Sequence, residues 1–402
     1  MDGAKRPLVM AAKMFCLSLC FLISLSALAQ SANDSLLHEA AQSLAAGNLQ
    51  RAESELQSVL QQSPDDYRAL DFLGLLRAEQ QRNADAEELF QRAMRFKPDS
   101  ASAHIHLGLL YIQMGRLDDA IPPLQDGLRL APERADAAKA LLSIWQERAR
   151  AAMARGESEQ ALAALISARK LSPDDPDVNY QYGMVALRMG LLQDAITAFN
   201  ATLNNRSDDP LAVYGLGRAY MDSTKFEDAR QQFTKYIDLR PNDASGHYAL
   251  GMSLAALERS QEAAMEFQRS ITLSPVQTES YFRLGLLQLD AKDLDSAAAN
   301  FRHVLDRDPK HAGALAGLGR LKLEQKKYDE ATDLLQRAVA SNDQLREAHY
   351  FLGLTYARMG RKEESEQQLQ IATRIEHEEA QKQRTVFKIL DAGSGNDSVP
   401  PK

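Results

Sequence analysis

Few residues of this chain are suited to chemistry, and they are scattered. His104 and His106 stand two apart. On a helix that spacing turns them to different sides, so they do not converge on one metal ion. His104, His247 and His349 share one place in a recurring pattern where other copies carry Leu70, Val213, Tyr281 or Leu315, so they read as packing residues. Asp174-Asp175 and Asp208-Asp209 have the look of carboxylate pairs, but they lie in turns ahead of helices, where Asp serves as a cap. Gly215-Leu216-Gly217 and Gly317-Leu318-Gly319 look like pieces of a phosphate loop, yet they fall inside helical stretches without a preceding strand. A glycosidase would need two carboxylates roughly 5–10 Å apart across one pocket, and no acid pair ringed by apolar residues stands out. These residues point to a chain that is not an enzyme and takes no cofactor or metal. The rivals are a helical-repeat enzyme such as an α/α glycosidase, or the binding subunit of a larger enzyme complex.

The elements that hold these residues are repeated. Gly74, Gly108, Gly183, Gly217, Gly251, Gly285, Gly319 and Gly353 recur every 34 residues from Gly183 onward, and the gap from Gly108 to Gly183 is two periods plus seven. A fixed period of this size means one supersecondary unit used many times, hence a solenoid. With the glycine as the eighth residue, ten units run 33–66, 67–100, 101–134, 135–175, 176–209, 210–243, 244–277, 278–311, 312–345 and 346–379. The fourth, seventh and eleventh places form one helical stripe and the twentieth, twenty-fourth and twenty-seventh a second, as in Ala86, Phe90 and Ala93. Nine units carry Ala at the twentieth place, and Ser365 takes it in the last. A helical glycine costs about 1 kcal/mol against alanine, so its repeated use implies close helix–helix contact. Pro64, Pro98, Pro132, Pro173, Pro241, Pro275 and Pro309 end the second helices. Helices of about 12–14 residues are marginal alone and must be stabilised by stacking.

The unit Tyr67 to Ser100, with Leu73-Gly74, Ala86, Phe90, Ala93 and Pro98, closely resembles the tetratricopeptide repeat, and the resemblance covers residues 33–379. It implies an all-α, right-handed superhelical solenoid of about ten helix-turn-helix units that binds other proteins. It also implies that the fifth place of each first helix faces a concave groove. Tyr180, Tyr214, Tyr248, Phe282 and Tyr350, with Ala316 between the last two, would then line that groove as an aromatic ladder. The ninth places add Met184, Arg218, Met252 and Arg320, with Leu286 and Leu354. Neighbouring rungs about 10 Å apart would match every third residue of an extended peptide. Some members grip a C-terminal carboxylate with Asn at the ninth place, and no unit here has it. In a bacterial envelope, proteins resembling this one commonly serve secretion, pilus or polysaccharide assembly.

The fourth unit is seven residues longer than the rest, about two helical turns. The surplus lies around Leu141 to Arg155, so a first helix carrying Trp145, Arg148, Arg150 and Arg155 is expected to overshoot there, either as a tolerated insertion or as a docking spur or hinge. Residues 380–390, with Val386, Phe387, Ile389 and Leu390, are expected to form a separate capping helix, and 391–402 a disordered tail.

Lys5, Arg6 and Lys13, the apolar run Met14 to Leu28 and Ala27-Leu28-Ala29 read as a signal peptide over 1–29, cut after Ala29. An uncleaved anchor and lipidation at Cys20 are the alternatives. Cleavage would make the protein exported, periplasmic or secreted, with no stable membrane insertion. Both cysteines, Cys16 and Cys20, would leave with the signal, so the mature chain would have no disulfide. A formal charge of -8 argues against holding nucleic acid by its phosphates. The expected partner is a protein or peptide.

Overall fold

The structure is a computed structural model and describes residues 32–394. The expected signal at 1–29 lies outside them, as do residues 395–402 of the expected tail. Twenty helices and no strand occur among the described residues, an all-α helical-repeat solenoid. None of these helices is long and apolar enough to cross a membrane.

The chain divides into two compact units, the first ending at Arg206 and the second beginning at Ser207. The first holds α1 (Ala32–Ala45), α2 (Leu49–Gln62), α3 (Tyr67–Glu79), α4 (Asn83–Phe96), α5 (Ala101–Gln113), α6 (Leu117–Leu130), α7 (Ala135–Arg155), α8 (Ser158–Leu171), α9 (Pro176–Arg188) and α10 (Leu192–Asn205). The second holds α11 (Pro210–Asp222), α12 (Phe226–Leu239), α13 (Ala244–Ala256), α14 (Ser260–Leu273), α15 (Thr278–Asp290), α16 (Leu294–Arg307), α17 (Ala312–Glu324), α18 (Tyr328–Ser341), α19 (Arg346–Arg358) and α20 (Lys362–Ser394). Odd-numbered helices pair with the even-numbered ones that follow them, and each even-numbered helix then packs on the next odd-numbered one in its body. First helices of neighbouring units also touch, as α15, α17 and α19 do in turn.

Short-range chemistry sets the helix ends. Asp66, Asp175 and Asp209 each accept two backbone N–H bonds at the start of α3, α9 and α11, and Pro176 and Pro210 take the first helical position. The turn inside each helix pair has one residue in the left-handed region. Five are Gly47, Gly115, Gly156, Gly190 and Gly360, and five are Gln81, Thr224, Glu258, Lys292 and Lys326. All ten fall at one place counted from the turn, which sequence reading missed because only half of them are glycine.

The eighth-place glycines are close-contact points. A Cβ on Gly74, Gly183, Gly217, Gly251 or Gly285 would lie 2.5–2.8 Å from the ring of Phe90, Phe199, Phe233, Phe267 or Phe301 respectively. Those five rings are buried. Leu124, Leu335 and Leu369 fill the same role against Gly108, Gly319 and Gly353.

One expectation needs revision, at the C-terminus, and packing favours one of the alternatives for the long fourth unit, the tolerated insertion. α7 is a single helix of 21 residues ending at left-handed Gly156, but its added turns are not a bare spur. Leu141 and Ile144 are buried in a core with Ile121 and Leu124, and Trp145 packs against that core. Arg148 pairs with Asp118 and lies over Trp145, while Arg150 pairs with Glu147 and Arg155 with Glu157. Counted back from the turn, buried Ala149 takes the glycine's place. At the C-terminus, 380–390 is no separate cap: α20 runs unbroken from Lys362 to Ser394, so residues 391–394 of the expected tail are helical too.

Candidate protein-binding surface

The fifth-place aromatics sit on first helices, each held by its own unit's core. In the first body, the Tyr180 ring tilts against Phe199 at 6.0 Å. In the second, Tyr214, Tyr248 and Phe282 tilt against Phe233, Phe267 and Phe301 at 5.5, 5.9 and 6.2 Å. All four are partly buried. Each of these four units thus stacks a half-covered ring on a buried Phe, and the Phe on a bare glycine backbone. The ring has little freedom left to lose on binding. Tyr350 departs, because its unit has Leu369 in place of Phe; it lies edge-on to Phe351 at 5.3 Å and is 41% exposed. Ala316 is buried, and Phe282 reaches toward the neighbouring unit, where a Cβ on Gly313 would fall 2.6 Å from its ring.

The ninth places divide. Met184, Met252, Leu286 and Leu354 are partly buried apolar neighbours of the rings. Arg320, expected as a groove cation, is engaged by Asp290 at 2.7 Å and Glu324 at 3.4 Å and lies over Phe351. Arg218 is exposed and makes no such ion pair among the described residues. Among the described residues the second body therefore presents one ninth-place cation, Arg218, without an ion pair.

Around Tyr214 the environment favours neutral phenols. Burial pushes the Tyr214 phenol up, against the opposing pull of Arg218. Tyr236, 5.0 Å from Tyr214 between ring centres, donates a 2.6 Å hydrogen bond to Asp243. Burial first, and that bond second, push Tyr236 up to about 12. Burial pushes the Asp243 carboxyl up, but the Tyr236 hydroxyl and the Ser245 N–H outweigh it and hold it below its ordinary value.

The histidines have a structural task. His104, His247 and His349 donate from Nε2 to the carbonyls of Pro98, Pro241 and Asp343 in the turns before their helices, at 2.9, 3.1 and 3.0 Å. Asn179 does the same to Pro173 at 2.7 Å. His106 turns instead to Asp71, Nδ1 to Oδ1 at 2.8 Å, a buried pair 35 residues apart that sequence spacing did not reveal. Among the described residues no three His, Cys, Asp or Glu side chains converge as a metal site. Gly215 to Gly217 lie in α11 and Gly317 to Gly319 in α17, so neither is a phosphate loop.

A family model described as the C-terminal domain of cilia and flagella-associated protein 70, itself a tetratricopeptide-repeat model, matches residues 24–279. Two further tetratricopeptide-repeat models match 288–349 and 347–376. The chain belongs to the tetratricopeptide repeat family. Among solved structures of this family's kind, YrrB, titled a TPR protein with an unusual peptide-binding site, is 24% identical over 46% of this chain and 95% of its own, with a TM-score of 0.40. MamA from Desulfovibrio magneticus RS-1 is 23% identical over 42% and 97%, with a TM-score of 0.41. The Cut9–Hcn1 structure of the APC/C is 13% identical over 91% and 90%, with a TM-score of 0.44. No curated protein sequence matches the chain significantly.

Proposed function

We propose that the chain is a non-catalytic scaffold that binds segments of partner proteins along its first helices, in assembly work of a cell envelope or secretion system. The observation that carries this reading is the repeated stack of half-covered aromatic, buried Phe and glycine. Pre-ordered rings with one face to solvent are the side chains that contribute most to protein recognition at least entropic cost. The family to which the chain belongs supports protein binding, and Asp175 and Asp209, one member of each Asp pair, are taken up in capping helices.

Replacing Tyr180, Tyr214 and Tyr248 together by Ala tests the reading. Partner capture from the producing cell should be lost while helix content is kept; unchanged capture by a folded variant would refute it. The envelope assignment rests on residues 1–29 acting as a cleaved signal. Intact mass of the protein from the producing cell should correspond to a chain starting at Gln30, and a chain retaining Met1 would remove that part of the reading.

A further inference from the structure

We propose that the first-helix surface of the second body selects a partner segment carrying one acidic side chain flanked by apolar residues, with Arg218 as the counter-ion. The proposal rests on the groove reading above and adds the partner's chemistry.

Leu211, Tyr214 and Arg218 share one stripe of α11, spaced by three and four residues. Leu211 is 56% exposed, an apolar side chain left uncovered beside a half-covered tyrosine. Arg218 lies about 6 Å farther along the helix than Tyr214, one turn on. The same stripe on α13 offers Tyr248 and Met252, and on α15 Phe282 and Leu286, with no cation at the ninth place of either.

Arg320 shows what such a cation does when it has a partner within the chain. Its guanidinium is claimed by Asp290 from the preceding unit and by Glu324 one turn on. Arg218 also has an acid one turn on, Asp222, yet makes no ion pair with it. An exposed guanidinium one turn beyond Tyr214 on the stripe that starts at Leu211 favours a carboxylate, which it can bind through two parallel hydrogen bonds. The apolar rungs on α13 and α15 then require apolar residues on one side of that acid. Charge complementarity thus fixes the occupant as a protein segment with an acid at one point and apolar anchors beyond it.

The test uses the full chain and short random peptides displayed on phage, followed by titration of synthetic copies of the enriched sequences. Enriched peptides should hold an Asp or Glu next to apolar residues. Changing that acid to its amide should weaken binding to the wild-type chain about tenfold or more, and should do little to binding by Arg218→Gln. The salt dependence of binding should flatten in the same variant. Equal effects of the amide on both proteins, or peptides enriched without an acid, would overturn the proposal. Loss of binding in Tyr214→Ala with Tyr248→Ala, alongside full binding by Arg218→Gln, would keep the groove reading and sink the acid. If no peptide is enriched, or neither set of changes matters, both readings fall. Self-association abolished by Arg218→Glu would assign the surface to a second copy and likewise overturn the proposal.

Discussion

Glycine plays two opposite parts in this chain, and the substitutions that reveal them have opposite signs. At Gly217 the missing Cβ makes room for Phe233, whose ring would lie 2.7 Å from it. Gly217→Ala should lower stability by about 1–2 kcal/mol by denaturant unfolding, because overpacking outweighs the helix propensity gained. Thr224 adopts φ 57 in the turn after α11, where a β-branched residue is strained. Thr224→Gly should raise stability by about 0.5–1 kcal/mol, strain relief exceeding the added chain entropy. Tyr236 gives a pH signature. Its folded-state pKa, about 12, is raised above the ordinary 10.0. The folded state therefore holds the proton more tightly, and this stabilisation is full below pH 10 and lost as pH rises through about 12. The denaturant midpoint should fall across that window, and less steeply in Tyr236→Phe.

At the scale of elements, α7 shows how an array absorbs an irregularity. Seven extra residues would normally break the stacking register, but two added helical turns bring the side chains back to nearly the same face. The first part of the helix then packs on the unit before it, and the hairpin is counted afresh from Gly156. Ile144 is fully buried in this arrangement. Ile144→Ala should therefore cost about 2–5 kcal/mol, as in any packed core, with unfolding as the readout. A residue on a free spur would cost almost nothing.

At the scale of the whole molecule, contacts within each body run between hairpins that are neighbours in sequence. Stability should then be nearly a sum of local terms. Amide hydrogen exchange in Gly217→Ala should quicken in α11 to α14 and stay unchanged in α3 to α6. Uniform acceleration along the chain would show a single cooperative unit instead. The same locality explains what could be read in advance. The unit length, the glycine and alanine places and the capping Asp residues repeat because each answers a demand within one or two turns of chain. Arg320 and Asp290, or Asp71 and His106, meet across units, and nothing in a repeat pattern singles out such pairs.

By itself the sequence determined the repeating helix pair, its close-packed glycine side and the place of the longer fourth unit, since periodicity carries all three. Tertiary structure alone decided that the added turns of α7 are core rather than spur, and that α20 runs on without a break. It also decided which ninth-place arginine is already satisfied. The reason is common to these cases: burial and ion pairing depend on what the next unit places opposite a side chain, and distance in space is not encoded in the period.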